Sequence, residues 1–359
     1  MARSKTRRVG ILTAGGDCPG LNAAIRAVGK AAIGHYGMEV VGVPDGFAGL
    51  VENRWRLLGM PDLSGILTLG GTLLRTSRVR PDAYELADGT VVDMTGTAAE
   101  SYRNMALDCL VCLGGGGTQK NALHLVQEGG LNVITLPKTI DNDIWGTDVC
   151  FGYDTAVSIA TEAVDRLHST ADSHRRVMVL ELMGNKSGWL ALAAGVAGGA
   201  DVILIPEIPY DIEIVAESIR GRDRQGKRFS IVAVAEGARP AKGTAADGVA
   251  EGADETHHVA TQVGRRLEKM TGIEARVTVL GHVQRGGSPT PADRLLATRV
   301  GTAAAEALAD GEYGVLIGVH GEHCERVPLE KIAGKRRQVP LDHELVRSAR
   351  LIGTCLGDE

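Results

Sequence analysis

Short runs of branched aliphatic residues alternate along this chain with longer stretches in which apolar positions return every three or four residues. The apolar runs fall at residues 8–12, 39–43, 108–113, 132–136, 176–182, 202–205, 230–235, 276–280 and 313–319. Their near-continuous hydrophobicity predicts strands buried on both faces. Between them, residues 22–36, 119–128, 156–171, 212–220, 257–271 and 294–310 carry the spacing of amphipathic helices. This alternation predicts an α/β chain with mostly parallel sheets and helices on both faces, and it places ligands at the carboxyl ends of the strands. Two stretches break the rhythm. Residues 79–102 are polar, with a turn expected at Ala87-Asp88-Gly89-Thr90, and residues 238–255 are rich in glycine, alanine and acids. Both read as surface excursions.

A length of 359 residues exceeds one ordinary core and suits two α/β lobes of about 150 residues each. Lysine and arginine total 39 against 44 acids, a formal charge of −5, and neither sign forms a block. Nucleic acid and membrane surfaces are therefore not the expected partners, which leaves a small molecule. No apolar run reaches the roughly 18 to 20 residues that cross a bilayer. The basic start from Met1 leads into a strand with no signal-peptide core, so a cytoplasmic location is expected. Six scattered cysteines, at 18, 109, 112, 150, 324 and 355, do not make a disulfide framework and are expected to be reduced. Cys109 and Cys112 have the spacing of a redox or zinc motif, but they lie inside an apolar run that reads as a buried strand.

Chemistry concentrates at three strand ends. The first strand leads into Gly15-Gly16-Asp17-Cys18-Pro19-Gly20 and then a helix. Glycines between a strand and a helix start make an anion cradle, because backbone N–H groups and the helix dipole both favour negative charge there. A tight structural turn would use the same residues. The second end is Gly114-Gly115-Gly116-Gly117-Thr118, with Lys120 on the following helix. Four consecutive glycines cost backbone entropy, and a phosphate chain packed against the backbone accounts for them. The third end is Lys138-Thr139-Ile140-Asp141-Asn142-Asp143. Asp141 and Asp143 stand two apart where both can face one pocket, one as proton acceptor and one toward a metal ion. Paired aspartates also cap helices and close turns; Lys138, Thr139 and the two glycine cradles favour the chemical reading.

In these blocks the chain resembles the phosphofructokinase family. The likeness is carried by the Gly15–Asn22 turn, Gly70-Gly71-Thr72 with Arg78, the block from Pro137 to Asp143, Ser173-His174-Arg175-Arg176, Met183-Gly184, and Val279 through Gly287, in order over roughly residues 8 to 320. The resemblance implies the phosphofructokinase fold of two Rossmann-like lobes: residues 1–152 plus 284–334 for the phosphoryl donor, and 153–283 plus 335–359 for the sugar phosphate. It implies transfer of a phosphoryl group to fructose 6-phosphate. Asp141 would be the base and Thr139 a further catalytic residue, with Thr139, Asp141 and Asp143 binding substrate and Asp143 serving Mg²⁺. Gly16, Arg78, Gly115, Gly116, Gly117, Thr118 and Lys138 would form the donor site, Gly16 and Arg78 with catalytic roles. Arg176, Met183, Gly184, Glu236, Arg276, His282 and Arg285 would bind the sugar phosphate. In the family two such arginines come from a neighbouring subunit, so Arg176 and Arg276 imply a homotetramer or homodimer.

Two positions depart from the family pattern. Gly116 stands where an acid usually helps to hold Mg²⁺, and Asn185, followed by Lys186, stands where an arginine often follows the Met-Gly pair. The donor can be read two ways. Gly117 leaves room for a nucleotide α-phosphate and favours ATP, whereas Lys138 is typical of pyrophosphate users. The family's bacterial effector pocket is matched at Arg26, Arg54 and Lys227 but not at Lys30, His168 and Gln225, which implies weak or absent classical allosteric control. The rival readings are a pyrophosphate-dependent phosphotransferase, a non-catalytic sugar-phosphate-binding paralogue suggested by Gly116, and a lipid or NAD kinase. The last leaves the block around Arg276 to Gly287 unexplained.

Overall fold

The structure is a computed structural model that describes residues 4–243 and 258–359. In chain order the elements begin with β1 (Arg8–Ala14), α1 (Leu21–Gly34), β2 (Glu39–Gly42), α2 (Phe47–Val51) and β3 (Arg56–Leu58). There follow β4 (Tyr84–Glu85), β5 (Val91–Val92), α3 (Thr95–Asn104), β6 (Cys109–Gly114), α4 (Gly116–Gln127), β7 (Val133–Pro137) and α5 (Tyr153–His174). The next group is β8 (Val177–Leu182), α6 (Trp189–Ala197), β9 (Val202–Leu204), α7 (Ile212–Arg224), β10 (Ser230–Ala235), α8 (Val259–Thr271) and β11 (Ala275–Val279). After a 3₁₀ turn at Gly281–Arg285 come α9 (Pro291–Asp310), β12 (Val315–His320), β13 (His323–Pro328), α10 (Leu329–Ile332) and α11 (Glu344–Leu351).

The chain divides into two compact units, Met1–Thr155 with Arg285–Arg337, and Ala156–Gln284 with Gln338–Glu359. The first unit holds a seven-stranded sheet in the order β13-β12-β7-β6-β1-β2-β3. Its five inner strands are parallel and its two edge strands, β13 and β3, are antiparallel. β1, β6 and β7 are buried at nearly every position, as their uninterrupted apolar sequence requires. Cys109 and Cys112 lie in β6, both buried and free, so the CxxC spacing belongs to the core. Helix α9 packs along α1, with Gly301 letting the backbone pass close to Ala24 and Ala27. The second unit holds a four-stranded parallel sheet in the order β11-β8-β10-β9. Its core joins Val179, Val232 and Val234 of the sheet to Val215, Ile219, Val263 and Leu267 of α7 and α8.

Three local expectations change. The stretch 79–102 contains the expected turn, which closes the β4–β5 hairpin, but its end is not a surface excursion. Thr95, Ala98, Ala99 and Tyr102 are buried at helical spacing in α3, and the last three join the core beneath α2 and β6. The helix expected from residue 119 begins at Gly116, so two of the four glycines form its first turn. Of the glycine- and acid-rich stretch 238–255, residues 244–255 lie outside the described residues, as does His257 at the start of one expected helix.

Asp293 shows how the first unit locks a turn without apolar contact. Its buried carboxylate accepts from Gly152 N at 2.9 Å, from Thr155 N at 2.8 Å and from the Thr155 hydroxyl. It thereby satisfies donors at the start of α5 that nothing inside the helix can reach. Asp293→Ala strands those donors, and we expect a loss of about 2 to 3 kcal/mol, read as a lower urea midpoint at unchanged slope.

Candidate active site

In the first unit the parallel register sets Ala14 opposite Gly114, and Gly114 opposite Pro137. The three turns that follow β1, β6 and β7 therefore emerge side by side from the same edge of the sheet, the ligand-bearing edge of such folds. The β1 turn ends at Gly20, whose φ of 98° only glycine adopts freely and whose Cα faces the Phe151 ring. The β6 turn passes directly into α4, with Gly115 as N-cap and no side-chain cap. Helix α4 is twelve residues long and opens with uncapped amide groups, a favourable seat for an anion. A Cβ at Gly116 or Gly117 would meet nothing within 4 Å. The fold itself does not demand glycine there, and the open space in front of the backbone is what the second cradle offers a ligand.

The β7 turn carries the acids. The Asp141 N–H donates to Thr139 Oγ1 at 3.1 Å, and Asn142 adopts the left-handed region with φ 52°. Asn142 is buried, and its Oδ1 accepts from Cys150 N at 2.9 Å while its Nδ2 donates to the Asp148 carbonyl at 3.5 Å. This side chain makes the reversal between the two aspartates permanent, since asparagine tolerates that backbone and supplies the local bonds that stabilise it. Asp143, 16% exposed, accepts from Arg336 Nε at 3.1 Å.

Cations line the same edge. Lys138 is buried and its ammonium donates to the Gly16 carbonyl. Burial pulls its pKa below the ordinary lysine value, against the opposing pull of Cys18 and Asp141. The same burial pushes the neighbouring Cys18 thiol up to about 12. Arg285, expected at the sugar phosphate, lies against the glycine turn of the first unit: its Nη1 donates to the Asp17 carbonyl at 3.1 Å, and its guanidinium occupies the place where a Cβ on Gly16 would sit. Its Nε is buried without a partner among the described residues, an N–H that a phosphate oxygen would satisfy. Arg78 follows a segment clamped to β1, since Gly15 N donates to Ser77 O at 2.8 Å and Thr76 Oγ1 donates to Gly15 O at 2.7 Å. Arg78, Gly15, Gly117, Thr118 and Lys120 border a cavity of about 590 Å³ that continues to Phe47, Asn121 and His124.

The described residues contain no group of three or more acids, histidines or cysteines able to hold a metal. Asp141 and Asp143 share one turn, and Gly116 leaves the usual third carboxylate out. These two acids fit a hard divalent cation that takes its remaining oxygens from phosphates and water.

In the second unit the carboxyl ends of β8, β10 and β11 are also neighbours, through Leu182 opposite Ala235 and Glu181 opposite Val279. Gly184 N donates to Glu236 Oε1 and Met183 N donates to Gln284 Oε1, both at 3.3 Å. Met183, Gly184, Glu236 and His282 are thus placed on one sheet edge. Arg176 and Arg276 are not on it. Arg176 precedes β8, and Arg276 pairs in register with Met178 near the start of that strand. Seven residues of extended chain separate Arg176 from Met183, roughly 23 Å. Both arginines instead grip Glu274, Arg176 Nε to Oε2 at 2.6 Å and Arg276 Nη2 to Oε1. The expected ring of cations around the sugar phosphate is therefore not assembled within this unit. Asn142, Gln284 and Arg336 are positions that motif reading passed over. Asn142 lay in plain view between two aspartates and Gln284 inside the Val279–Gly287 block, whereas Arg336 has no local pattern that marks it.

A family model described as Phosphofructokinase matches residues 8–308. A protein from Propionibacterium freudenreichii subsp. shermanii named ATP-dependent 6-phosphofructokinase is 54% identical over 372 residues, covering 98% of this chain and 99% of that protein. One of the same name from Spirochaeta thermophila is 53% identical over the full length of both chains. Among solved structures, a phosphofructokinase from Saccharomyces cerevisiae superposes with a TM-score of 0.77 at 33% identity, over 90% of this chain and 45% of that one. A pyrophosphate-dependent phosphofructokinase from Nitrosospira multiformis reaches 0.81 at 20% identity, over 98% and 93%, a likeness of fold.

Asn142→Ala removes both local bonds and leaves alanine in the left-handed region. We expect a loss of about 2 to 4 kcal/mol, measured by chemical denaturation, with Asn142→Gly recovering the backbone part of it.

Proposed function

We propose that this chain, which belongs to the phosphofructokinase family, transfers the terminal phosphoryl group of ATP to the 1-hydroxyl of fructose 6-phosphate, a step of glycolysis. The observation that carries the reading is the in-register alignment of the β1, β6 and β7 turns, with Asp141 and Asp143 on the third. Asp141 takes the hydroxyl proton as the sugar oxygen forms its bond to phosphorus and the bond to the departing ADP oxygen breaks. Charge that spreads over the transferring group meets Arg78, Lys138, Arg285 and the amides of Gly16 and of the α4 start. Asp143, with the donor phosphates, would hold Mg²⁺, which would supply further charge neutralisation when bound. Thr139 positions the aspartate turn through its bond to the Asp141 amide.

The open space before Gly116 and Gly117 supports ATP over pyrophosphate, because it admits the α-phosphate and the cavity beyond Arg78 continues to receive the nucleoside. Met183, Gly184, Glu236 and His282 bind the sugar phosphate. Arg176 and Arg276 lie near the amino ends of their strands and serve the site of a neighbouring subunit, so the working form is a homodimer or homotetramer. A cytoplasmic location suits six free thiols and a phosphorylated sugar as substrate.

Purified protein supplied with fructose 6-phosphate should form fructose 1,6-bisphosphate with ATP and Mg²⁺; activity with pyrophosphate alone would overturn the donor assignment. Asp141→Asn should lower kcat by about a thousandfold while fructose 6-phosphate KM stays within about threefold. Gly117→Asp should leave the fold intact, since its Cβ meets open space. It should cut kcat/KM for ATP by about a hundredfold or more through crowding and repulsion of the α-phosphate.

A further inference from the structure

Beyond the region matched by the family model, residues 334–337 return to the turn that bears the two aspartates. Arg336 forms an isolated antiparallel bridge with Ile144. The Arg337 N–H donates to the Asp143 carbonyl at 2.9 Å, and Arg337 Nη1 donates to the Asn142 carbonyl at 3.2 Å. The segment is anchored from its other side as well. Leu329 and Ile332 of α10 share a core with Ala122 and Leu125 of α4, and Lys120 Cε lies 3.6 Å from where a Cβ on Gly334 would stand. This tethering delivers one side chain to one oxygen, Arg336 Nε to Asp143 Oδ2 at 3.1 Å.

We propose that Arg336 is a positioning residue for Asp143, which makes the segment 334–337 part of the phosphoryl-transfer site. An ion pair whose arginine is 42% exposed adds little to stability. What it does is fix a carboxylate oxygen and offset the repulsion between two aspartates on one turn. Asp143 and Asp141 stand two residues apart on one turn, and Arg336 brings a positive charge to that pair at 3.1 Å from Asp143 Oδ2. The guanidinium of Arg336 is fixed by backbone pairing on both sides of the contact, which an arginine on a free loop would lack. The inference rests on the reading that Asp143 serves phosphoryl transfer.

The test compares wild type, Arg336→Gln, Arg336→Lys, Asp143→Asn and the Asp143→Asn/Arg336→Gln double variant, in full-length protein. Arg336→Gln should lower kcat about tenfold or more with fructose 6-phosphate KM within about twofold, and Arg336→Lys should recover much of that loss. In the Asp143→Asn background the Arg336→Gln change should cost no more than about twofold, because the two act as one unit. A second readout uses Mn²⁺ alone as probe, followed through water-proton relaxation. Removing the countercharge should tighten Mn²⁺ binding about fivefold, and Asp143→Asn should cancel the gain. An Arg336→Gln kcat within twofold of wild type, or losses that multiply in the double variant, would overturn the proposal. A wild type that phosphorylates no fructose 6-phosphate would refute the functional reading instead. The Mn²⁺ comparison would then decide the pairing, with unchanged affinity in Arg336→Gln counting against it.

Discussion

Ala14, Gly114 and Pro137 lie in register across three adjacent parallel strands, and the placement of nearly every group in the candidate site of the first unit follows from that alignment. Parallel strands all point their carboxyl ends the same way, so the turns after β1, β6 and β7 must open on one edge. Two of those turns bring uncapped or glycine-lined backbone, and the third brings acids. Lys138 ties the three turns together, its ammonium donating to the Gly16 carbonyl and its N–H to the Gly114 carbonyl at 3.3 Å, while Arg285 braces the first of them through the Asp17 carbonyl. A slip of one residue in β6 would swap the side chains packed on its two buried faces and carry the α4 start out of line with the aspartate turn.

Charge is arranged on this edge with a similar economy. Buried Lys138 is held by a carbonyl and, among the described residues, makes no ion pair with a carboxylate; burial leaves its proton more weakly held than usual. Arg285 is likewise bound through a carbonyl, with one buried N–H unsatisfied among the described residues. On the proposed function, such incompletely matched groups would be satisfied by phosphate oxygens, concentrating binding energy on the reacting group. The second unit repeats the strategy at the ends of β8, β10 and β11. There Glu236 and Gln284 accept from the backbone of Gly184 and Met183 and so fix the shape of that turn.

Much of this was legible in the sequence because the signals were local. Uninterrupted apolar runs marked β1, β6, β7, β8 and β10; glycines marked the turns after β1 and β6, and the paired aspartates marked the turn after β7. Helix α3 was missed because its buried face is built from Thr95, Ala98, Ala99 and Tyr102, where two alanines carry the helical period with little hydrophobicity. Helix α6 is apolar almost all round, so periodicity could not separate it from a strand. Edge strand β3 is only three residues long and β13 is polar and half-exposed, so neither carries the uninterrupted apolar run that marks an inner strand. Arg336 was out of reach because 193 residues separate it from Asp143. The motif positions Arg176 and Arg276 were found, but their place at the amino ends of the strands, gripping Glu274, comes only from the register of β11 on β8.

The central claim is that one sheet edge of the first unit gathers the donor phosphates and the two aspartates. A crystal structure of the protein with Mg²⁺ and a non-hydrolysable ATP analogue tests it most directly. The β- and γ-phosphates should lie against the amides of Gly16 and of the Gly116–Thr118 turn, with the γ-phosphate facing Asp141 and Asp143. Phosphate density at another edge of the sheet, or phosphates on the glycine turns with both aspartates directed away from them, would contradict the account.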